Sequence, residues 1–90
     1  MSNIKITFTI HSQLKIKQRN ILKSDIEKVI KNPYITTKDK FDPELIHFIG
    51  LIKNKYLRVI GKWKTENELL IISCFYDRRL LKGRIKDVKT

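Results

Sequence analysis

The sequence predicts an α+β domain: an N-terminal strand, two short helices, then a three-stranded antiparallel meander, with the helices on one face of the sheet. Three observations predict it. Residues 4–10 alternate apolar and polar side chains without a break, the period of a half-buried strand. Two segments of helical spacing follow, the second stopped by Asn32-Pro33, because the residue before a proline disfavours the helical region. Three apolar runs of eight residues come next, at 45–52, 56–63 and 69–76. The polar links between them, Lys53-Asn54-Lys55 and Lys64-Thr65-Glu66-Asn67-Glu68, are short enough to join antiparallel neighbours directly.

In the first strand Ile4, Ile6, Phe8 and Ile10 point to one side, and Lys5, Thr7 and Thr9 to the other. His11-Ser12 breaks the alternation, and residues 13–19 read as a short helix with Leu14 and Ile21 turned inward. Ser24-Asp25-Ile26-Glu27 has the form of a capping box, in which serine and glutamate each take the other's backbone amide. It opens a second helix over 25–31 with Ile26, Val29 and Ile30 on one face. Residues 34–37 read as a short edge strand, followed by a polar loop around Asp42-Pro43. Residues 77–90 hold three arginines and three lysines, and 81–90 read either as a partial strand or as a flexible basic tail. A chain of 90 residues without repeat, linker or low-complexity tract is read as one domain over 1–90.

Lys and Arg number 20 against 9 Asp and Glu, a formal charge of +11. A genome biased toward AT would raise lysine, but it would raise glutamate too, and here 15 Lys stand beside 4 Glu. The excess therefore points to a polyanionic partner, nucleic acid first and an acidic protein second. No apolar run spans a bilayer, and the start alternates from the outset, unlike a signal peptide, so the expectation is a cytoplasmic protein without a membrane partner. Monomer and homodimer both stay open. The single Cys74 excludes an internal disulfide and a cysteine-based zinc site. No Gly-rich phosphate loop, HExxH or GxSxG is present, and the expectation is that no metal or cofactor is used. Asp39, Asp42 and Glu44 read as a solvated loop.

With Trp63 opposite Leu69, one face of the meander collects Leu57, Val59, Trp63, Ile71, Ser73 and Phe75, assigned to the core. The other collects Tyr56, Arg58, Ile60, Lys62, Leu70, Ile72, Cys74 and Tyr76, a basic and aromatic surface suited to RNA phosphates and unstacked bases. His47 depends on register. A turn using Lys53-Asn54-Lys55 puts it on the core face, and a turn of Asn54-Lys55 puts it opposite Lys62. His11, Lys15 and Arg19, spaced by four, would stack along one side of a helix, either as a phosphate-binding stripe or with His11 as a hydrogen-bonded helix-entry residue.

A strand, then His11-x3-Lys15-x3-Arg19, Ile21, a short helix ending Asn32-Pro33, and a meander resemble small bacterial domains of the BrnT-like branch of the RelE/ParE toxin superfamily. The resemblance covers roughly residues 6–76, with Lys15 where arginine is common. It implies a RelE-like α+β fold, and a toxin of a toxin–antitoxin pair that cleaves RNA, often mRNA, without metal. It also implies an acidic antitoxin encoded next door. Tyr76-Asp77-Arg78-Arg79 stands where such nucleases place working residues, at the end of the last long strand. Cleavage needs a base for the 2′-OH, cations for the phosphorane and an acid for the leaving oxygen. The candidates are His11, with His47 as an alternative, together with Arg58, Tyr76 and Arg78. Lys15, Arg19, Lys62, Arg79, Lys82 and Arg84 are candidates to bind RNA. The competing expectations are a non-catalytic basic module for nucleic acid or an acidic protein, and a ParE-like inhibitor of a protein target.

Overall fold

Seven elements form along the chain in a computed structural model that describes residues 4–79. They are β1 (Lys5–Phe8), α1 (Ile10–Gln18), α2 (Lys23–Lys31), β2 (Ile35–Lys38), β3 (Leu45–Ile52), β4 (Lys55–Thr65) and β5 (Glu68–Tyr76). The expected tail at 81–90, with Lys82 and Arg84, lies outside the described residues. The architecture is α+β, but the sheet has five strands in the order β1-β5-β4-β3-β2, not three. The three long strands are its antiparallel centre. β1 adds to one edge, parallel to β5, and β2 to the other, antiparallel to β3.

α1 starts earlier than expected. Thr9 takes the cap: its hydroxyl accepts the Ser12 amide at 3.0 Å while the Ser12 hydroxyl donates to the Thr9 carbonyl at 2.9 Å. Ile10 therefore leaves the strand, and the phase of the helix changes. Ser12 and Ile16 face the core, and Leu14, expected inside, is 55% exposed. The helix closes in a Schellman motif: the Ile21 amide reaches the Ile16 carbonyl and the Asn20 amide the Lys17 carbonyl, with Asn20 at φ 53°. Ile16 and Ile21 are both buried, the apolar contact that accompanies this ending. The predicted capping box does not form. α2 begins at Lys23 after Leu22, which makes no side-chain cap, so Ser24 lies inside the first turn. Ile26, Val29 and Ile30 are buried as their spacing predicts.

β3 and β4 meet at a two-residue turn, Lys53-Asn54, flanked by the pair Ile52 and Lys55. Both turn residues have positive φ, 50° and 69°, as a type I′ hairpin requires. Neither turn expected from sequence forms. The resulting register sets His47 opposite Ile60, on the face of Arg58 and Lys62 but two residues from the predicted partner. A second irregularity corrects the expected faces of β5. Ile60 pairs with Ser73 but Gly61 with Ile71, so Ile72 is an extra residue. Such a bulge exchanges the faces of every later side chain. Ser73 and Phe75 therefore share the face of Arg58, while Cys74 and Tyr76 turn to the core, the reverse of the sequence assignment.

Both helices cover one sheet face. Ile16, Ile21, Ile26, Val29 and Ile30 pack there on Phe48, Leu57, Val59, Leu69, Ile71 and Cys74. Trp63, expected in this core, is at the surface. Gly50 lets α2 lie close to β3, since a Cβ at that position would stand 2.9 Å from Val29 Cγ2. The opposite face carries a small buried apolar cluster of Ile49 and Tyr56, with Ile35 packed against it. Among the described residues no helix is long and apolar enough to cross a membrane.

Candidate functional site

The face without helices holds a chain of charged side chains drawn from three segments. Arg58 stands near the middle of β4, between Ile49 on β3 and Phe75 on β5. Its side chain is only 13% exposed and that of Asp77, just beyond β5, is 2% exposed. The Asp77 amide donates to the Tyr56 carbonyl at 2.8 Å, which continues the β4 pairing and turns the carboxylate toward Arg58. Arg58 Nε donates to Asp77 Oδ2 at 2.9 Å, and its Nη1 lies 2.7 Å from His47 Nδ1. His47 Nε2 lies 2.7 Å from Asp39 Oδ1, in the β2–β3 loop. At the other end Arg79 donates to Asp77 through its backbone amide, Nε and Nη2 at 3.0, 3.2 and 3.3 Å.

Arginine can only donate, so His47 Nδ1 is the acceptor and its Nε2–H points at Asp39. Both ring nitrogens are engaged. Asp77 is pulled two ways: burial pushes its carboxyl up, but hydrogen bonds from Arg79, and the hydrogen bond and charge of Arg58, leave it below the ordinary value. The Asp42 amide, then His47 and the Phe41 amide, hold Asp39 below it as well. Arg58 Nη2 has no partner among the described residues, yet no buried polar side-chain atom is left unsatisfied. Arg58 also lines a groove on this face. A guanidinium anchored on one side and open on the other is a preorganised anion site.

Two grooves flank this network, and Asp77 borders both. One, of about 590 Å³, is formed by β2, the loop after it, and the line His47, Arg58, Arg79, with Lys38, Lys40 and Phe41 at its rim. The other, of about 900 Å³, lies at the end of the sheet where α1 ends, the β3–β4 turn folds over and β5 stops. Arg19, Lys53, Lys55 and Arg78 supply cations there, and Tyr56, Phe75 and Tyr76 supply rings. Arg19 spans the free edge of β5, donating from Nη1 to the Cys74 carbonyl at 2.8 Å, with its guanidinium 5.9 Å from the Phe75 ring centre. Burial, then the Asp25 carboxylate and Cys74, raise the Tyr76 phenol above its usual range, so it keeps its proton. Burial lifts the Cys74 thiol to about 11, against the lowering charge of Arg19, and leaves it an unreactive core group.

The residues singled out in sequence are thus divided. Arg58 and Arg79 line the smaller groove; Arg19, Tyr76 and Arg78 line the larger. His11 is exposed in the first turn of α1 and lines neither, and Lys15 is half-buried on the same helix. The expected stripe therefore delivers only its last member to a groove. Lys62 pairs with Glu44 at 3.4 Å, away from both. Sequence reasoning missed Asp39, read as solvated loop, and gave Asp77 no role of its own within Tyr76-Asp77-Arg78-Arg79. Phe41, Lys38, Lys40, Lys53 and Lys55 were passed over as well. One signal was present: Asp77 is the lone carboxylate between a long strand and two arginines. Scans of the chain against protein-family models, curated proteins and solved structures found no match.

Proposed function

We propose that the chain binds single-stranded RNA across the helix-free face and cleaves it, without a metal, at a phosphate seated on Arg58, acting as the toxin of a bacterial toxin–antitoxin pair. The observation that carries the reading is the anchored guanidinium: Asp77 and His47 orient Arg58, which lines the smaller groove. In this scheme His47 replaces His11 as the proton carrier. A phosphate oxygen that accepts the Nη1 hydrogen bond uncovers His47 Nδ1, whose lone pair takes the 2′-OH proton. Asp39, 2.7 Å from Nε2, then steadies the imidazolium. Arg58 stabilises the phosphorane; as the P–O5′ bond breaks and the 2′,3′-cyclic phosphate closes, the imidazolium returns its proton to the leaving 5′ oxygen, and the Tyr76 phenol and Arg78 serve the strand in the larger groove. DNA, lacking the 2′-OH, is bound and left intact. The resemblance to RelE/ParE-type domains supports the toxin assignment. The partner protein it implies is an acidic antitoxin.

The test is cleavage of a labelled RNA in EDTA. Wild type cuts, and His47→Gln loses about 100-fold or more in rate with RNA affinity within a few fold. Intact RNA with folded wild type, and no growth arrest on expression, overturns the nuclease reading. The second reading, a non-catalytic RNA-binding module, is favoured by one observation: both His47 nitrogens are engaged in the resting protein. It is the answer if wild type and His47→Gln bind RNA equally and neither cuts.

A further inference from the structure

We infer that the groove of about 590 Å³ is a subsite for one unpaired nucleotide next to the phosphate on Arg58, its base stacked on the Phe41 ring and its own phosphate among Lys38, Lys40 and Arg79. The inference rests on the RNA-binding reading and names its substrate class: RNA that is single-stranded at this position. Phe41 is 93% exposed, an unusual state for a phenylalanine that has a groove beside it to fold into. Hydrogen bonds within the loop fix the backbone that carries it. Asp39 Oδ2 accepts the amides of Phe41 and Asp42, each at 3.1 Å, and Asp42 Oδ1 accepts the Glu44 amide at 2.9 Å. Backbone bonds from the Asp39 amide to the Leu45 carbonyl and from the Leu45 amide to the Asp42 carbonyl close its base.

The same Asp39 bonds His47 through its other oxygen. The carboxylate that displays Phe41 therefore also joins the loop to the Arg58 network. Lys38 and Lys40 both precede the ring in sequence, and neither is ion-paired among the described residues. A ring displayed from a hydrogen-bonded loop, with two unpaired lysines just before it and in the same groove, fits a base and its phosphate. A base inside a duplex has both its faces stacked and offers none to Phe41.

The experiment titrates a short single-stranded RNA carrying one 2-aminopurine, its 2′-hydroxyls methylated so that it is bound uncut, into wild type, Phe41→Ala, Phe41→Tyr and Lys40→Ala, at several salt concentrations. Wild type quenches the fluorophore and prefers the single strand to its duplex. Phe41→Ala binds between about 5- and 150-fold more weakly, the span of one stacked base, with unchanged salt slope and melting temperature. Phe41→Tyr restores both affinity and quenching. Lys40→Ala lowers the salt slope by about 0.7. RNA binding by wild type that Phe41→Ala leaves unaltered overturns the subsite and spares the RNA reading. No RNA binding by wild type removes both, and then a protein contact remains the use of the exposed ring.

Discussion

The two faces of the central strands differ more than their sequences suggest. On the helix side, Leu57, Val59, Leu69 and Ile71 are fully buried and meet apolar groups of α1 and α2. On the other side the same strands carry Arg58, His47 and Lys62, and their closest neighbours are charges. One face stabilises by removing area from water, the other by pairing groups that lose water only in part. The lesson is a division of labour. Packing holds the sheet together, so its reverse can keep a polar network shaped for an anion.

Four changes break or sharpen that contrast. The largest effect belongs to the helix side: Ile71→Ala costs about 2–5 kcal/mol through lost burial and the cavity left behind, read by urea unfolding, while RNA affinity of the folded fraction stays the same. Next is Asp77→Ala. It leaves Arg58 sunk in the sheet without its carboxylate, at a cost of about 3 kcal/mol, and it perturbs RNA binding as well.

Asp77 also sets the acid limit. Its folded-state carboxyl titrates below the ordinary 3.8, so the unfolded chain takes up the proton first. The stability it adds is complete above about pH 4 and is lost as pH falls through the depressed native value. Asp77→Asn flattens that limb in acid melts; an unchanged limb would assign it elsewhere.

Third is Gly50→Ala, which presses a methyl into Val29 and costs about 1–3 kcal/mol, seen as a lower melting temperature without change in RNA binding. The smallest is Glu44→Ala. Its partner Lys62 and Glu44 itself are both well exposed, so the loss is below about 0.5 kcal/mol in the same melt.

Much of the fold was legible because burial writes a period into the chain. β1 follows from alternation, β3 from its apolar run, and the apolar face of α2 from helical spacing. The failures have local causes. Thr9, not a later residue, captured the Ser12 amide, and α1 rotated so that Leu14 faced water. One unpaired residue, Ile72, exchanged Cys74 with Phe75. The site was less legible for a related reason. Arg58 and Tyr76 stood out by type, but Asp39 and Asp77 acquire meaning only beside His47 and Arg58, which are 8 and 19 positions away.

By itself the sequence determined the class of protein and the charge it must place somewhere, since periodicity and composition are properties of the chain alone. Which faces those charges occupy was decided by tertiary structure. The Lys53-Asn54 turn and the Ile72 bulge set register, and with a two-residue repeat each single-residue step moves a side chain from core to groove.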